Sequence, residues 1–253
     1  MQETDIEGAA RALLQAARAR VSLDGLPAGV RPATLAQAYA IQDSVAAMLG
    51  EVVAWKVGAK QPGQEPACAP LTTATVHASG CALPAADFPQ RAVEVELAVR
   101  IGRDLPGRAE PYAAAEVSGA ISAVLPTIEL VESRYVSPAS QDRHAIVADG
   151  LSHGALICGR DCPDTALLAA HEFRATLDAD GSRVLALDRA HNPAGELLPL
   201  VVWLANHAAR RCGGLKAGQV VTTGSLTGIA SLAGAMHVEA AVEGLGAVSF
   251  DFR

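Results

Sequence analysis

Aromatic residues are scarce in this 253-residue sequence, at 4%, so a core must be filled by Val, Leu, Ile and Ala. Cysteine is present five times, at Cys68, Cys81, Cys158, Cys162 and Cys212, but never as a CxxC pair. The scatter excludes a zinc-ribbon spacing and an even disulfide framework, and leaves reduced thiols, as in a cytoplasm, as the plain expectation. No run of about 18 uninterrupted apolar residues occurs, so no membrane-spanning helix is expected. The N-terminal stretch lacks the continuous apolar core of a signal peptide. No Lys/Arg run offsets a formal net charge of −7, and such a surface repels phosphate backbones, so nucleic acid is not an expected partner. With 50% hydrophobic and 19% charged residues, the chain is nevertheless rich enough to bury a sizeable core.

Helical periodicity marks residues 4–21, with Thr4 or Asp5 as the cap, and residues 34–49, capped by Thr34 and stopped by Gly50. Short β-type runs follow. They include 52–57, the alternating 92–99, 127–133, 155–158, 172–177 and 183–187, the last two joined at Asp180-Gly181 as a hairpin turn. Residues 60–92 show little periodicity, and 116–123 reads as a short helix. A helix over 195–212 ends at Gly213-Gly214, and strands at 219–223, 236–242 and 248–252 complete the chain. The expectation is one α+β domain over 1–253, its first 50 residues helical, with a large mixed or mostly antiparallel sheet system.

The oddest feature is Val93-Glu94-Val95-Glu96-Leu97. On a strand, residues i and i+2 share a face, so both carboxylates project together while the apolar residues pack behind. Two like charges so placed repel unless a cation lies between them, and a hard divalent ion such as Mg2+ or Mn2+ would suit oxygen ligands. The alternative is a solvent-facing strand carrying two Glu. Glu129 stands inside the apolar run Ile128-Glu129-Leu130-Val131, where a carboxylate is costly to bury unless paired or ligating. Glu132 has Arg134 two residues away and reads as its ion-pair partner. Lys56, in Trp55-Lys56-Val57-Gly58, either snorkels from an edge strand or orients a substrate carboxylate and moves a proton. Ser152-His153 lies in a small-residue loop without a nucleophile elbow, and Val221–Gly228 is a hydroxyl-rich loop without the ending of a P-loop.

In their order, WKVG, VEVELAV, PTIELVESR, ADGLSHG, NPAGELLPLVVWLAN and LKAGQVVTTGSLTG resemble the 2-keto-4-pentenoate hydratase and 4-oxalocrotonate decarboxylase group of the fumarylacetoacetate hydrolase superfamily. The resemblance spans about residues 35–252. It implies a mixed β-sheet roll or barrel with N-terminal helices, and a Mg2+ or Mn2+ ion held by Glu94, Glu96 and Glu129. It also maps Lys56, Ser152 and Ser225 to catalytic positions. The activity it implies is a lyase: a hydratase adding water to a 2-hydroxy-2,4-dienoate in the degradation of aromatic compounds, with a small 2-oxo acid as the bound partner in a cytoplasmic homo-oligomer. A 4-oxalocrotonate-type decarboxylase or an inactive partner subunit are the alternatives. The sequence departs from the group at Glu65-Pro66-Ala67-Cys68, which lacks the usual Asp, at Gly150 in place of Asn, and at His153.

Overall fold

The computed structural model describes residues 2–232 and 234–253, with the side chains of Glu3 and Thr4 outside the description. Two helices open the chain: α1, Glu3–Ala19, and α2, Leu35–Leu49. The capping expectation at Thr4 falls on an undescribed side chain. The Asp5 carboxylate accepts from the Gln2 amide at 2.7 Å, inside the first turn rather than at the cap. Thr34 does cap α2, its hydroxyl accepting from the Gln37 amide at 3.2 Å.

Strands β1 (Val52–Gly58), β2 (Ala67–Thr72), β3 (Val76–Ala78), β4 (Cys81–Leu83), β5 (Ala92–Ile101), β6 (Leu105–Pro106), β7 (Ile121–Val131) and β8 (His153–Cys158) follow, interrupted by the helices α3 (Ala114–Ser118) and α4 (Arg143–Ala148). The later part holds β9 (Phe173–Ala179), β10 (Ser182–Ala190), α5 (Leu197–Arg211), β11 (Gly214–Leu215), β12 (Val220–Ser225), β13 (Ala230–Ser231), β14 (His237–Val242) and β15 (Gly246–Phe252). One sheet runs β2-β1-β12-β5-β7-β8-β3, with β13 on the end of β5. A second runs β10-β9-β14-β15-β4, and β11 pairs with β6. Both parallel and antiparallel ladders occur, as expected of a mixed α+β architecture.

The first sheet is curled. Ala54, Leu71, Ala98, Leu125, Leu156 and Val220 come from six of its strands, yet form one small buried cluster. Lys56 on β1 also bonds Glu129 on β7 across β12 and β5, three strand spacings of about 4.8 Å each that a flat sheet would leave unbridged, so the strands close into a half-barrel with the cluster as its inner floor. The outer face carries the main core, where Trp55, Val57, Val93, Val95, Leu97 and Val221 are buried. There α5 packs on β1 and β12, the second sheet packs on β7 and β8, and α2 lies over β2.

Several sequence expectations shift. The helix read at 116–123 is α3 at Ala114–Ser118, and Ile121 already begins β7. Gly119 caps the turn, and the β-branched residues beyond it pair with β5. The stretch from 145, read as strand-like, opens with α4, capped by Asp142, whose carboxylate accepts from the Ala145 amide at 2.8 Å. Within 60–92, β2 folds back on β1 through the loop 59–66, whereas β3 and β4 form through partners distant in sequence, which no local pattern displays. The Asp180-Gly181 hairpin has both residues at positive φ, 49° and 75°, as a type I′ turn requires.

At Gly154 a Cβ would lie 2.8 Å from the Leu130 carbonyl oxygen and 2.9 Å from Glu132 Cβ, so β8 approaches β7 there as only glycine allows. Gly154→Ala should therefore lower stability by about 1–3 kcal/mol, the usual cost of overpacking. Gly29→Ala, with nothing within 4 Å of its Cβ, should change it by less than about 0.5 kcal/mol. Urea denaturation of the two variants checks this, and equal midpoints would contradict the close approach.

Candidate metal and catalytic site

The strand registers stack polar residues into one layer above the apolar floor of the half-barrel. Across β5 and β7, Glu94 lies opposite Glu129, Glu96 opposite Thr127 and Ala98 opposite Leu125. Across β1 and β12, Lys56 lies beside Thr222 and Ala54 beside Val220. Directly paired residues share a face, so Lys56, Glu94, Glu96, Thr127, Glu129 and Thr222 all point into the concavity. One carboxylate oxygen from each of Glu94, Glu96 and Glu129 can be chosen so that all three lie within 4.8 Å of one another.

This cluster is deeply placed. Glu96 is 1% and Glu129 0% exposed, while Glu94 is half-buried. Both buried carboxylates have specific partners. The Glu129 carboxylate receives the Lys56 ammonium on both oxygens, at 2.6 and 2.8 Å. The His153 ring contributes Nδ1 to Glu129 Oε1 at 2.8 Å, and its Nε2 meets the Thr75 hydroxyl at 3.1 Å. The Thr222 hydroxyl donates to Glu96 Oε2, as does the Gly224 amide at 3.2 Å. Ser225 lies opposite Glu96 across β12 and β5, and its hydroxyl favours the ionised form of Glu94.

The electrostatics divide the three carboxylates. Burial, reinforced by the charges of Glu129 and Glu94, pushes Glu96 up to about 8. Glu94 is raised for the same reasons, burial first and the Glu129 charge second. Burial opposes ionisation of Glu129 too, but the Lys56 charge and the His153 hydrogen bond outweigh it and hold this carboxyl below its usual range. Lys56 answers in kind: burial disfavours its charge, yet Glu129 and Glu96 keep the ammonium above its ordinary value. Burial lowers His153 and favours its neutral ring, whose Nδ1–H then donates to Glu129.

Lys56 also donates to the Leu151 carbonyl at 3.1 Å. That carbonyl belongs to a turn in which Gly150, Leu151 and Ser152 all have positive φ, 63°, 58° and 59°. Two non-glycine residues in succession there are strained and persist only when the surroundings hold them. Arg134 does the holding: its guanidinium bonds the Asp149 carboxylate and carbonyl, and also the carbonyls of Glu132, at 2.7 Å, and His153, at 2.5 Å. Glu132 is therefore not the carboxylate partner of Arg134 that its spacing suggests, because Asp149 takes that role. Its own Oε2 accepts from the Gln90 amide at 3.2 Å.

The six expected site residues are thus distributed unequally. Glu94, Glu96, Glu129 and Lys56 converge, and Ser225 joins them through Glu94. Ser152 sits half-buried on the strained turn next to the Leu151 carbonyl, its own carbonyl accepting from the Glu132 amide at 2.8 Å. Sequence reading missed Thr222, Thr75, the Arg134–Asp149 pair and the contact of His153 with Glu129. A register slip between Leu130 and Val131 places His153 opposite Val131, on the Glu129 face. No local pattern signals such a slip.

A curled mixed sheet with an acidic cluster in its concavity, covered by N-terminal helices, is a defined architectural class. The chain belongs to the fumarylacetoacetate hydrolase family: residues 38–253 match the family described as fumarylacetoacetate (FAA) hydrolase C-terminal. It is 30% identical to a 2-keto-4-pentenoate hydratase of Paraburkholderia phymatum, over 98% of this chain and 97% of that relative. It is 28% identical to a 4-oxalocrotonate decarboxylase of Pseudomonas putida over 54% of this chain and 51% of the relative. The solved 4-oxalocrotonate decarboxylase from Pseudomonas putida G7, complexed with magnesium and adipate, superposes with a TM-score of 0.84. The alignment covers 100% of this chain and 99% of that one at 23% identity. Fumarylpyruvate hydrolase from Pseudomonas aeruginosa, in complex with Mn2+ and pyruvate, matches with a TM-score of 0.53 at 14% identity, over 79% and 88% of the two chains.

The raised Glu96 makes stability depend on pH. A carboxyl that titrates at about 8 when folded and near its model value of 4.5 when unfolded binds its proton more tightly in the native state. Its contribution favours folding below 4.5 and is lost as pH rises through 8. In the presence of a chelator, the melting temperature of the wild type relative to Glu96→Gln should fall between pH 5 and pH 8. A difference between the two proteins that stays flat or rises over that window would contradict the assignment.

Proposed function

We propose that this protein is a divalent-metal-dependent lyase of the 2-keto-4-pentenoate hydratase type. It would add water to a 2-hydroxy-2,4-dienoate to give a 4-hydroxy-2-oxo acid. The observation that carries the reading is the set of three carboxylate oxygens within 4.8 Å of one another in the concavity of this family's fold. Three hard oxygen donors suit Mg2+ or Mn2+, which leave further coordination positions for substrate and water. Glu94, Glu96 and Glu129 would be the ligands. A divalent ion there would act as a Lewis acid toward the keto oxygen of a 2-oxo acid.

The chain's own groups fit the rest of the task. Lys56 carries the ammonium bonded to the cluster, placed to orient a substrate carboxylate or to deliver a proton. The Ser225 hydroxyl, beside Glu94, and Ser152, on the strained turn, offer further hydrogen bonds. The apolar floor of Ala54, Leu71, Ala98, Leu125, Leu156 and Val220 closes the concavity from below and excludes water from that side. The hydratase is favoured because the 30% relative of that name aligns along nearly the full length of both chains. Decarboxylation of a dicarboxylic 2-oxo acid is the second reading, supported by the full-length fold match to 4-oxalocrotonate decarboxylase.

Purified protein with Mg2+ should remove the ultraviolet absorbance of 2-hydroxypenta-2,4-dienoate without releasing CO2. Stoichiometric CO2 from 4-oxalocrotonate would move the assignment to the decarboxylase. No turnover of either compound by a protein that still binds the metal would make the chain an inactive partner subunit.

A further inference from the structure

Resting on the metal-site reading above, we infer that Lys56 sets the affinity of the carboxylate cluster for cations: its ammonium is a resident counter-charge against which any incoming ion must bind. The first ground is occupancy. The two oxygens of Glu129 offer about four acceptor positions. Lys56 Nζ takes one on each, at 2.6 and 2.8 Å, and His153 Nδ1 takes a second on Oε1 at 2.8 Å. One position, on Oε2, is left for a cation. On Glu96, Oε2 already accepts from both Thr222 and Gly224, so the open oxygen is Oε1.

The second ground is charge. Among the described residues, Lys56 is the one Lys or Arg bonded to these three carboxylates. With all three carboxylates ionised, as ligation of an ion requires, they and one ammonium sum to −2, which a divalent ion neutralises. Without Lys56 the sum is −3. The Lys56 side chain is only 12% exposed, so water screens its charge poorly and its repulsion of an ion in the same concavity stays large. It also has a second anchor in the Leu151 carbonyl at 3.1 Å, held by the Arg134-braced turn. An arriving ion therefore finds Lys56 fixed in place rather than free to swing away. The same charge that would serve a substrate carboxylate thus costs the site ion affinity.

The test uses the full chain stripped with EDTA and titrated with Mn2+ alone, reading the free-ion electron paramagnetic resonance signal, and with Tb3+ alone, reading sensitised luminescence. Lys56→Met should bind Mn2+ at least about tenfold more tightly than wild type, and Tb3+ should gain by a larger factor because repulsion by the ammonium scales with ion charge. Lys56→Arg, which keeps the charge, should stay within about threefold of wild type. If circular dichroism shows that the methionine variant does not fold, Lys56→Gln carries the same expectation, since its amide can still donate to Glu129 and Leu151. Unchanged or weaker Mn2+ binding in the folded uncharged variant, with wild-type binding intact and abolished by Glu129→Gln, overturns this inference alone. Absence of Mn2+ and Tb3+ binding in wild type and variant alike overturns the metal-site reading with it.

Discussion

Two antiparallel strands place Glu94 directly opposite Glu129, and Glu96 two residues along on the same face. Three carboxylates so arranged cannot all be ionised in a dry concavity without compensation. Much of the surrounding structure answers that constraint. Lys56 and His153 compensate Glu129, whereas Thr222 and the Gly224 amide attend to Glu96. The outcome is uneven: Glu129 is held ionised, and Glu96 is driven toward its protonated form. A buried acidic cluster left in that condition costs stability rather than supplying it. The proposed cation would recover what folding forfeits.

The fold supplies the means. Curling the sheet brings Lys56 on β1 within bonding reach of Glu129 on β7, with β12 and β5 between them, over a floor of small and branched side chains. In the polar layer, Glu96 and Thr127 lie one same-face pair above Ala98 and Leu125, Glu94 and Glu129 a second, and Glu129 is level with Leu156 on β8. The register slip between β7 and β8 delivers His153 to this layer, and the Arg134 guanidinium ties together the elements that flank it, bonding carbonyls of both Glu132 and His153. Strain at Leu151 and Ser152 is maintained by the same arginine, and it buys a backbone carbonyl aimed at Lys56.

Legibility of this site in the sequence followed the range of the interactions. Period-two alternation was enough to put Glu94 and Glu96 on one face, and an apolar context was enough to mark Glu129 and Lys56 as needing partners. Both rest on local rules. The identity of the partner was not local: Lys56 and Glu129 are joined by pairing through β12 and β5, and no spacing rule reports it. Arg134 shows the opposite error. Proximity in sequence favoured Glu132, but the backbone between them directs the guanidinium across to Asp149, fifteen residues away. His153 depended on a register slip, and α4 on a cap at Asp142 ahead of a segment whose composition reads as strand.

The central claim, that Glu94, Glu96 and Glu129 together bind a divalent cation, is tested most directly by a thermal-shift titration with Mg2+ or Mn2+. Wild type should be compared with Glu94→Gln, Glu96→Gln, Glu129→Gln and Glu132→Gln. Binding only to the native state should stabilise the wild type by about 2.7 kcal/mol at a hundred times the dissociation constant. The account expects each of the first three variants to lose most of that shift and Glu132→Gln to keep it. A wild type without any shift, or a full shift in Glu129→Gln alongside its loss in Glu132→Gln, would contradict it.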